Sequence, residues 1–270
     1  TDSRTLLTQA MPYLLHVWPT ISKQLRNANR SLMLFDFDGT LAPIASHPDL
    51  AVLSSSGKGL LTELAHQDRY ILGVVSGRSL ADVRNKVGIP NLIYAGNHGL
   101  EIQGSRVEFT HPEAAALVPT LNQIYGELQT SLSHQSGIAL ENKALSLSVH
   151  FRATPDELVP LVKSTFYKIT TPYVETGEVK IGHGKQVLEV RPNVDWNKGR
   201  AIRMLMDVFP EASLAAFFGD DVTDEDGFEV VQEAGGLAVF VGEARQPTKA
   251  LYRVDSPQEV LETLRLLRDL

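Results

Sequence analysis

Solid apolar runs of strand length recur along the chain at residues 32–35, 70–75 and 214–218, with shorter ones at 92–95 and 237–241. A run without polar alternation marks a strand covered on both faces, the usual condition in a parallel sheet. Helical patterns fall between several of these runs, at 57–66 and 80–87, and another occupies 201–209. Strands alternating with helices predict an α/β domain built on a parallel sheet. Near the start, Leu6, Leu7, Ala10, Tyr13, Leu14 and Trp18 recur at three-and-four spacing, which predicts an amphipathic helix within residues 1–27.

From residue 109 to residue 190 the pattern changes. Leu145, Leu147, Val149 and Phe151 alternate with Ser146, Ser148, His150 and Arg152, the signature of a strand with one wet face. A helix is predicted to begin near Thr154-Pro155-Asp156-Glu157, where a capping residue, a proline and two acidic side chains come together. Glycine turns at Gly177 and at Gly182-His183-Gly184 separate further short strands. The expected organisation is an α/β core of residues 1–108 and 191–270 into which an α+β module, residues 109–190, is inserted.

Composition narrows the field. With 43% hydrophobic and 21% charged residues in 270, the chain can bury a substantial core. Acidic side chains outnumber basic ones 32 to 25, so a polyanion such as nucleic acid finds no broad electrostatic footprint. No apolar run approaches the ~20 residues of a membrane-spanning helix. The chain has no cysteine, which excludes disulfides and thiolate metal sites and fits a cytoplasmic location.

Four polar constellations carry the chemistry. Asp36-Phe37-Asp38-Gly39-Thr40 follows the first apolar run, and i, i+2 spacing in extended chain projects both carboxylates toward the sheet's carboxyl edge, where open α/β sheets bind ligands. Two neighbouring carboxylates stay ionised cheaply only beside a cation. Gly219-Asp220-Asp221-Val222-Thr223-Asp224-Glu225-Asp226 follows another apolar run and offers hard oxygen ligands of the kind Mg²⁺ takes. Ser76-Gly77-Arg78 places a hydroxyl and amides after a third run, at the expected start of a helix, a setting that favours anions. Lys198, within Asn197-Lys198-Gly199-Arg200, adds a compact positive charge at another helix start.

A carboxylate nucleophile facing a phosphate dianion needs the repulsion between them cancelled, and a cation, a lysine and donor groups do that. The reading is phosphoryl transfer: Asp36 attacks phosphorus and forms an aspartyl-phosphate, while Asp38 protonates the leaving alcohol and then activates water. Competing templates fit less well. The stretch 73–77 has neither the spacing of a serine-hydrolase elbow nor the length and lysine of a P-loop. A calcium EF-hand loop fails at Val222, its first position, and a paired-carboxylate glycosidase leaves Ser76, Lys198 and the acidic loop without roles.

Asp36-Phe37-Asp38-Gly39-Thr40, Ser76, Lys198 and Gly219-Asp220-Asp221, in that order, resemble the four motifs of the haloacid dehalogenase (HAD) superfamily of phosphotransferases. More narrowly, the chain is similar to the trehalose-6-phosphate phosphatase family. The strings that carry this are Gly96-Asn97-His98-Gly99, Glu141-Asn142-Lys143, Ser148-Val149-His150-Phe151-Arg152, Leu188-Glu189-Val190-Arg191-Pro192 and Gly219 to Asp226.

The resemblance implies a Rossmann-like HAD core with a mobile, inserted C2B-type α+β cap. It implies Mg²⁺ on the Asp36 carboxylate, the Asp38 carbonyl and Asp220, with Asp221 and Asp224 in support, phosphate on Ser76 and Lys198, and Thr40 among the catalytic residues. It also implies a sugar held by Glu141, Lys143, Arg152 and Glu189 from the cap, with Arg78, Asn97 and His98 opposite. The expected partner is a small-molecule sugar phosphate, with functional coupling to a trehalose-6-phosphate synthase. Other outcomes on this scaffold are a phosphatase for sucrose phosphate or mannosyl-3-phosphoglycerate, a sugar phosphomutase, or a non-catalytic phosphosugar-binding module. Glu141 and Lys143 share the parity of the apolar residues after them, so a bulge or a strand start is expected after Lys143.

Overall fold

The computed structural model describes residues 11–184, 186–243 and 247–270. The chain divides into two compact units, one made of the residues up to Pro43, Leu53–Gly73 and Lys198–Leu270, the other of Ile44–Val52 and Val74–Asn197. The first unit opens with α1 (Trp18–Asn27), β1 (Arg30–Phe35), α2 (Ser55–Ala65) and most of β2 (Tyr70–Val75). In the second unit follow α3 (Leu80–Val87), β3 (Ile93–Gly96), β4 (Glu101–Gly104), β5 (Val107–Thr110), α4 (Pro112–Ala116) and α5 (Val118–Leu132). That unit continues with β6 (Ala139–Asn142), β7 (Leu147–His150), α6 (Val159–Glu175), β8 (Val179–Gly184) and β9 (Val187–Pro192). The chain returns to the first unit through α7 (Lys198–Val208), β10 (Ala212–Gly219), α8 (Glu225–Glu233), β11 (Leu237–Val241), β12 (Tyr252–Val254) and α9 (Pro257–Arg268).

In the first unit the strands lie in the order β12-β11-β10-β1-β2, and β1, β10, β11 and β12 pair in parallel. Their solid apolar runs are explained by burial on both faces: five of the six β1 residues and all of β11 are buried. Phe35 and Phe218 are register partners, and their rings stack with centroids 5.0 Å apart. The carboxyl ends of β1 and β10 therefore lie side by side, and the Asp36 amide extends the ladder by donating to the Phe218 carbonyl at 2.8 Å. That adjacency brings the residues after β1 and after β10 to one place.

In the second unit β3, β4 and β5 form an antiparallel meander, and β6-β7-β9-β8 form a separate antiparallel sheet. The apolar parity of β7 and β9, Leu147, Val149, Leu188 and Val190, packs against Leu121, Ile124 and Leu128 of α5 and Val162 and Phe166 of α6. The polar parity, Ser148 and Glu189 among it, is turned to the other face and is directly paired across β7 and β9.

Several expectations need correcting. The strand expected over 145–152 is the shorter β7; of the bulge or strand start expected after Lys143 the strand start is what occurs, with Glu141 in β6 opposite Ser148 and a hairpin leading to β7. Its turn runs through Lys143 and Ala144, the latter in a left-handed conformation at φ +66°. Residues 155–158 form a turn, and α6 begins at Val159 because Pro160, not Pro155, occupies the favoured first-turn position. Likewise α1 begins at Trp18 with Pro19 in its first turn, whereas Tyr13 bridges to Arg253; Leu6, Leu7 and Ala10 lie outside the described residues. The helix at 57–66 is α2, two residues earlier than expected because Ser54 caps it by accepting from the Gly57 amide at 3.0 Å. The helix expected at 201–209 is α7, which already starts at Lys198.

Candidate active site

Lys198 is the first residue of α7 and is buried, with its ammonium donating to Asp36 Oδ1 at 2.8 Å and to Asp224 Oδ1 at 2.7 Å. The second oxygen of Asp224 accepts the backbone amides of Asp220 and Asp221 at 3.0 and 3.1 Å. Both Asp224 oxygens are thus engaged, which makes this fully buried carboxylate a brace between α7 and the loop after β10. Asp221 turns to its own loop, where its Oδ1 accepts from the Val222 amide at 2.7 Å and caps a short 3₁₀ turn.

Asp36, Asp220 and Asp224 bring one ligand oxygen each within 4.8 Å of one another. Burial pushes the Asp36 carboxyl well above its ordinary range; Lys198 opposes this, while Asp224 and Asp220 add to it. Burial also works against the charge on Lys198, but Asp224 and Asp36 overcome it and hold the ammonium above the usual lysine value. The lysine stays charged, because it has two carboxylates at hydrogen-bond distance. Three carboxylates against one ammonium leave a formal deficit of two positive charges, and all the side-chain ligand atoms on offer are hard oxygens. The donor set therefore fits a hard divalent cation.

The turn after β1 is shaped for this approach. Asp38 bridges to Ala42, and the Gly39 amide donates to the Ala42 carbonyl at 2.7 Å. Gly39 has φ +83°, and a Cβ there would lie 2.1 Å from Asp220 Oδ2. Gly39→Ala therefore forces Asp220 aside and strains the turn. Binding of a hard divalent cation, titrated with Mg²⁺ as the probe, is expected to require at least tenfold more cation in this variant, and an unchanged requirement contradicts the placement of Asp220. Thr40 is fully buried, and its hydroxyl has no hydrogen-bond partner among the described residues.

In the second unit, Ser76 follows β2, donates its amide to the Ala95 carbonyl at 2.9 Å and accepts the Arg78 amide on its hydroxyl at 3.2 Å. It does not stand at the start of α3, which begins at Leu80 with Ser79 as cap. Arg78 is buried, with its guanidinium on Asp82 at 2.6 Å and on the Pro48 carbonyl at 2.8 Å. Asn97 is fully buried; its amide group donates to Glu101 at 2.6 Å and to the Lys143 carbonyl at 2.9 Å, and its oxygen accepts from Ser146 at 2.5 Å. With both donors committed, Asn97 fastens the Lys143 turn. Its φ of +48° and that of His98, +57°, make a left-handed pair that the neighbouring contacts hold in place.

Glu189 is the hub of this unit. Its Oε1 accepts from Lys143 at 3.0 Å and Ser148 at 3.3 Å, and its Oε2 accepts from Arg191 Nε at 2.8 Å with His98 Nε2 at 3.5 Å. Burial opposes its charge, but Lys143, His98 and Arg191 together hold the carboxyl well below the usual range. Lys143 also donates to the Gly77 carbonyl at 3.1 Å. Glu141 pairs with His150 at 3.1 Å and is likewise held low, against the effect of burial, by His150, Lys143 and Arg78. The structure thus joins His98, Lys143 and Glu189 directly and Asn97 through the Lys143 carbonyl, while exposed Arg152 reaches the Ala45 carbonyl. Arg191, Ser146 and Asp82 are partners that the sequence reading did not assign; for Arg191 the signal was its i+2 spacing from Glu189 on one strand face.

A family model described as trehalose-phosphatase matches residues 34–258. A trehalose-phosphate phosphatase of Mycobacterium tuberculosis is 37% identical over 257 residues, covering 90% of this chain and 63% of that protein. Trehalose 6-phosphate phosphatase RA3 of Zea mays is 33% identical over 259 residues, covering 87% of this chain and 69% of that one. The chain thus spans about two thirds of the length of these relatives. Among solved structures, the C-terminal domain of a C. albicans trehalose-6-phosphate phosphatase superposes with a TM-score of 0.79 at 25% identity, covering 96% of this chain and 99% of that one.

Proposed function

We propose that this chain, which belongs to the trehalose-phosphatase family, hydrolyses trehalose 6-phosphate to trehalose and phosphate through a phosphorylated Asp36. The observation that carries the chemistry is the buried Lys198 held between Asp36 and Asp224 beside Asp220. An Asp36 oxygen attacks phosphorus as the ester P–O bond breaks, and Asp38 gives its proton to the leaving sugar oxygen. Asp38 then takes a proton from water, which attacks the phosphorus of the acyl phosphate and returns Asp36 as a carboxylate while phosphate departs. Lys198, Ser76 and Thr40 hold the phosphate oxygens, and the charge on Lys198, secured by its two carboxylates, suits it to that role.

Mg²⁺ is the cation this reading assigns to the Asp36 carboxylate, the Asp38 carbonyl and Asp220, with Asp221 and Asp224 supporting the loop. When bound it screens the charge of the phosphate from that of the nucleophile. Glu141, Lys143, Arg152, His98 and Glu189 take the sugar hydroxyls. Arg78 and Asn97, whose hydrogen bonds are committed within the chain, hold the frame on which those groups sit. The carboxylate of Glu189 already has four side chains on it, and the two long contacts, to Ser148 and His98, are those a hydroxyl replaces at least cost. Residues 109–190 act as the cap over the sugar. A cytoplasmic location and functional coupling to a trehalose-6-phosphate synthase are parts of the same reading; no helix of the described residues is long and apolar enough to cross a membrane.

A panel of sugar phosphates tests the substrate. The wild type is expected to favour trehalose 6-phosphate by at least tenfold in kcat/KM over glucose 6-phosphate and sucrose phosphate. Glu189→Gln should erase most of that preference, about tenfold, with little change toward an aryl phosphate. Equal turnover of all three sugars by the wild type contradicts the substrate assignment.

A further inference from the structure

Glu189 and Arg191 are i, i+2 neighbours on β9, so they project from the same face of the sheet, and the Arg191 guanidinium grips Glu189 Oε2 through both Nε and Nη2. Across the sheet, the register partner of Glu189 is Gly182 on β8. A Cβ at Gly182 would lie 3.2 Å from Cζ and Nε of Arg191 and 3.3 Å from Nη2. The guanidinium therefore occupies the space beside the bare backbone of Gly182 that a side chain would contest, and the glycine is not needed for a left-handed turn, since Gly182 is absent from the positive-φ glycines. A strand position that gives up a side chain is otherwise a weakness. Here the vacated space is filled by the arginine that clamps the sugar-directed carboxylate.

We propose that Arg191, lodged beside Gly182, is the positioning residue for Glu189 and thereby sets selectivity for the sugar, a role that rests on the reading of Glu189 given above. Arg191 fixes Oε2, leaving Oε1 with Lys143 and Ser148 as the edge whose geometry a hydroxyl meets. A lysine at 191 has no planar fork and cannot reproduce the two-point grip. The groups facing Glu189 from other elements are Lys143 in the turn after β6, His98 in the turn after β3 and Ser148 on β7.

The test compares wild type, Arg191→Gln, Gly182→Val, Glu189→Gln and the Arg191→Gln/Glu189→Gln double variant on trehalose 6-phosphate and on p-nitrophenyl phosphate, which carries no sugar. Valine suits a strand and leaves Arg191 present but displaced. Arg191→Gln and Gly182→Val are each expected to raise KM for trehalose 6-phosphate about tenfold, keeping kcat/KM for the aryl phosphate within twofold. The double variant should be no worse than Glu189→Gln alone. Loss of both substrates in equal proportion, or additive losses in the double variant, overturns the proposal. A carbon-detected titration of the Glu189 carboxyl in substrate-free protein separates this from the substrate reading. An upward shift is expected in Arg191→Gln, and its absence overturns the positioning role even in an enzyme selective for trehalose 6-phosphate. The shift in a protein indifferent to that sugar overturns the substrate assignment alone.

Discussion

Asp36→Asn is expected to lower kcat for trehalose 6-phosphate by on the order of 10⁴-fold or more, since the amide keeps the shape of the side chain and loses the nucleophile. The fold should not suffer with it. Burial and the neighbouring carboxylates push Asp36 toward its neutral form, so a neutral side chain at that place relieves repulsion, and Lys198 keeps Asp224. Unfolding by denaturant in the presence of a chelator is expected to show a midpoint no lower than that of the wild type. A variant that turns over at the parental rate removes Asp36 from the chemistry; one that is inactive because it is unfolded is recognised by the same denaturation curve.

Lys198→Met carries the largest expected cost in stability. The ammonium is buried between Asp36 and Asp224, and its removal leaves two buried carboxylates facing each other, a change worth about 3–5 kcal/mol when one member of a buried pair is deleted. The midpoint in chelator should fall accordingly, and adding Asp224→Asn should recover part of the loss by removing one of the stranded charges. Phosphatase activity should drop about 10³-fold through loss of the charge that meets the phosphate. A midpoint within error of the wild type contradicts the account of Lys198 as the counter-charge of the site.

The core of this site was legible because solid apolar runs, acidic loops and their order along the chain all follow from one sheet. β1 and β10 are adjacent and parallel, so the motifs after them meet without any long-range information beyond strand adjacency. What the sequence left open was the use of each carboxylate. Asp220, Asp221 and Asp224 look alike in a row, yet Asp221 caps its own turn, Asp224 is spent on Lys198 and two amides, and Asp220 faces the Gly39 turn. That division depends on backbone amides and on one left-handed glycine, neither of which has a periodic signature.

The sugar-directed groups were harder to place for a different reason. Strand parity assigned Glu189 and Ser148 to the polar face, but Glu141 and Lys143 sit on the far side of a hairpin turn whose residue Ala144 is left-handed without being glycine. Asn97 carries the polar side chain of a ligand and spends it on Glu101, Ser146 and the Lys143 carbonyl. Arg191 stood in a string that served to recognise the family; its i+2 spacing puts it on the face of Glu189, but the room for its guanidinium comes from Gly182 on the neighbouring strand, which has no periodic signature.

The central claim is that the phosphoryl group passes through the enzyme. The stereochemical course at phosphorus, followed with an isotopically chiral phosphorothioate analogue of the substrate hydrolysed in water labelled with the third oxygen isotope, tests it most directly. Two in-line displacements, first by Asp36 and then by water, predict net retention of configuration; net inversion means that water attacks the substrate in one step and contradicts the account.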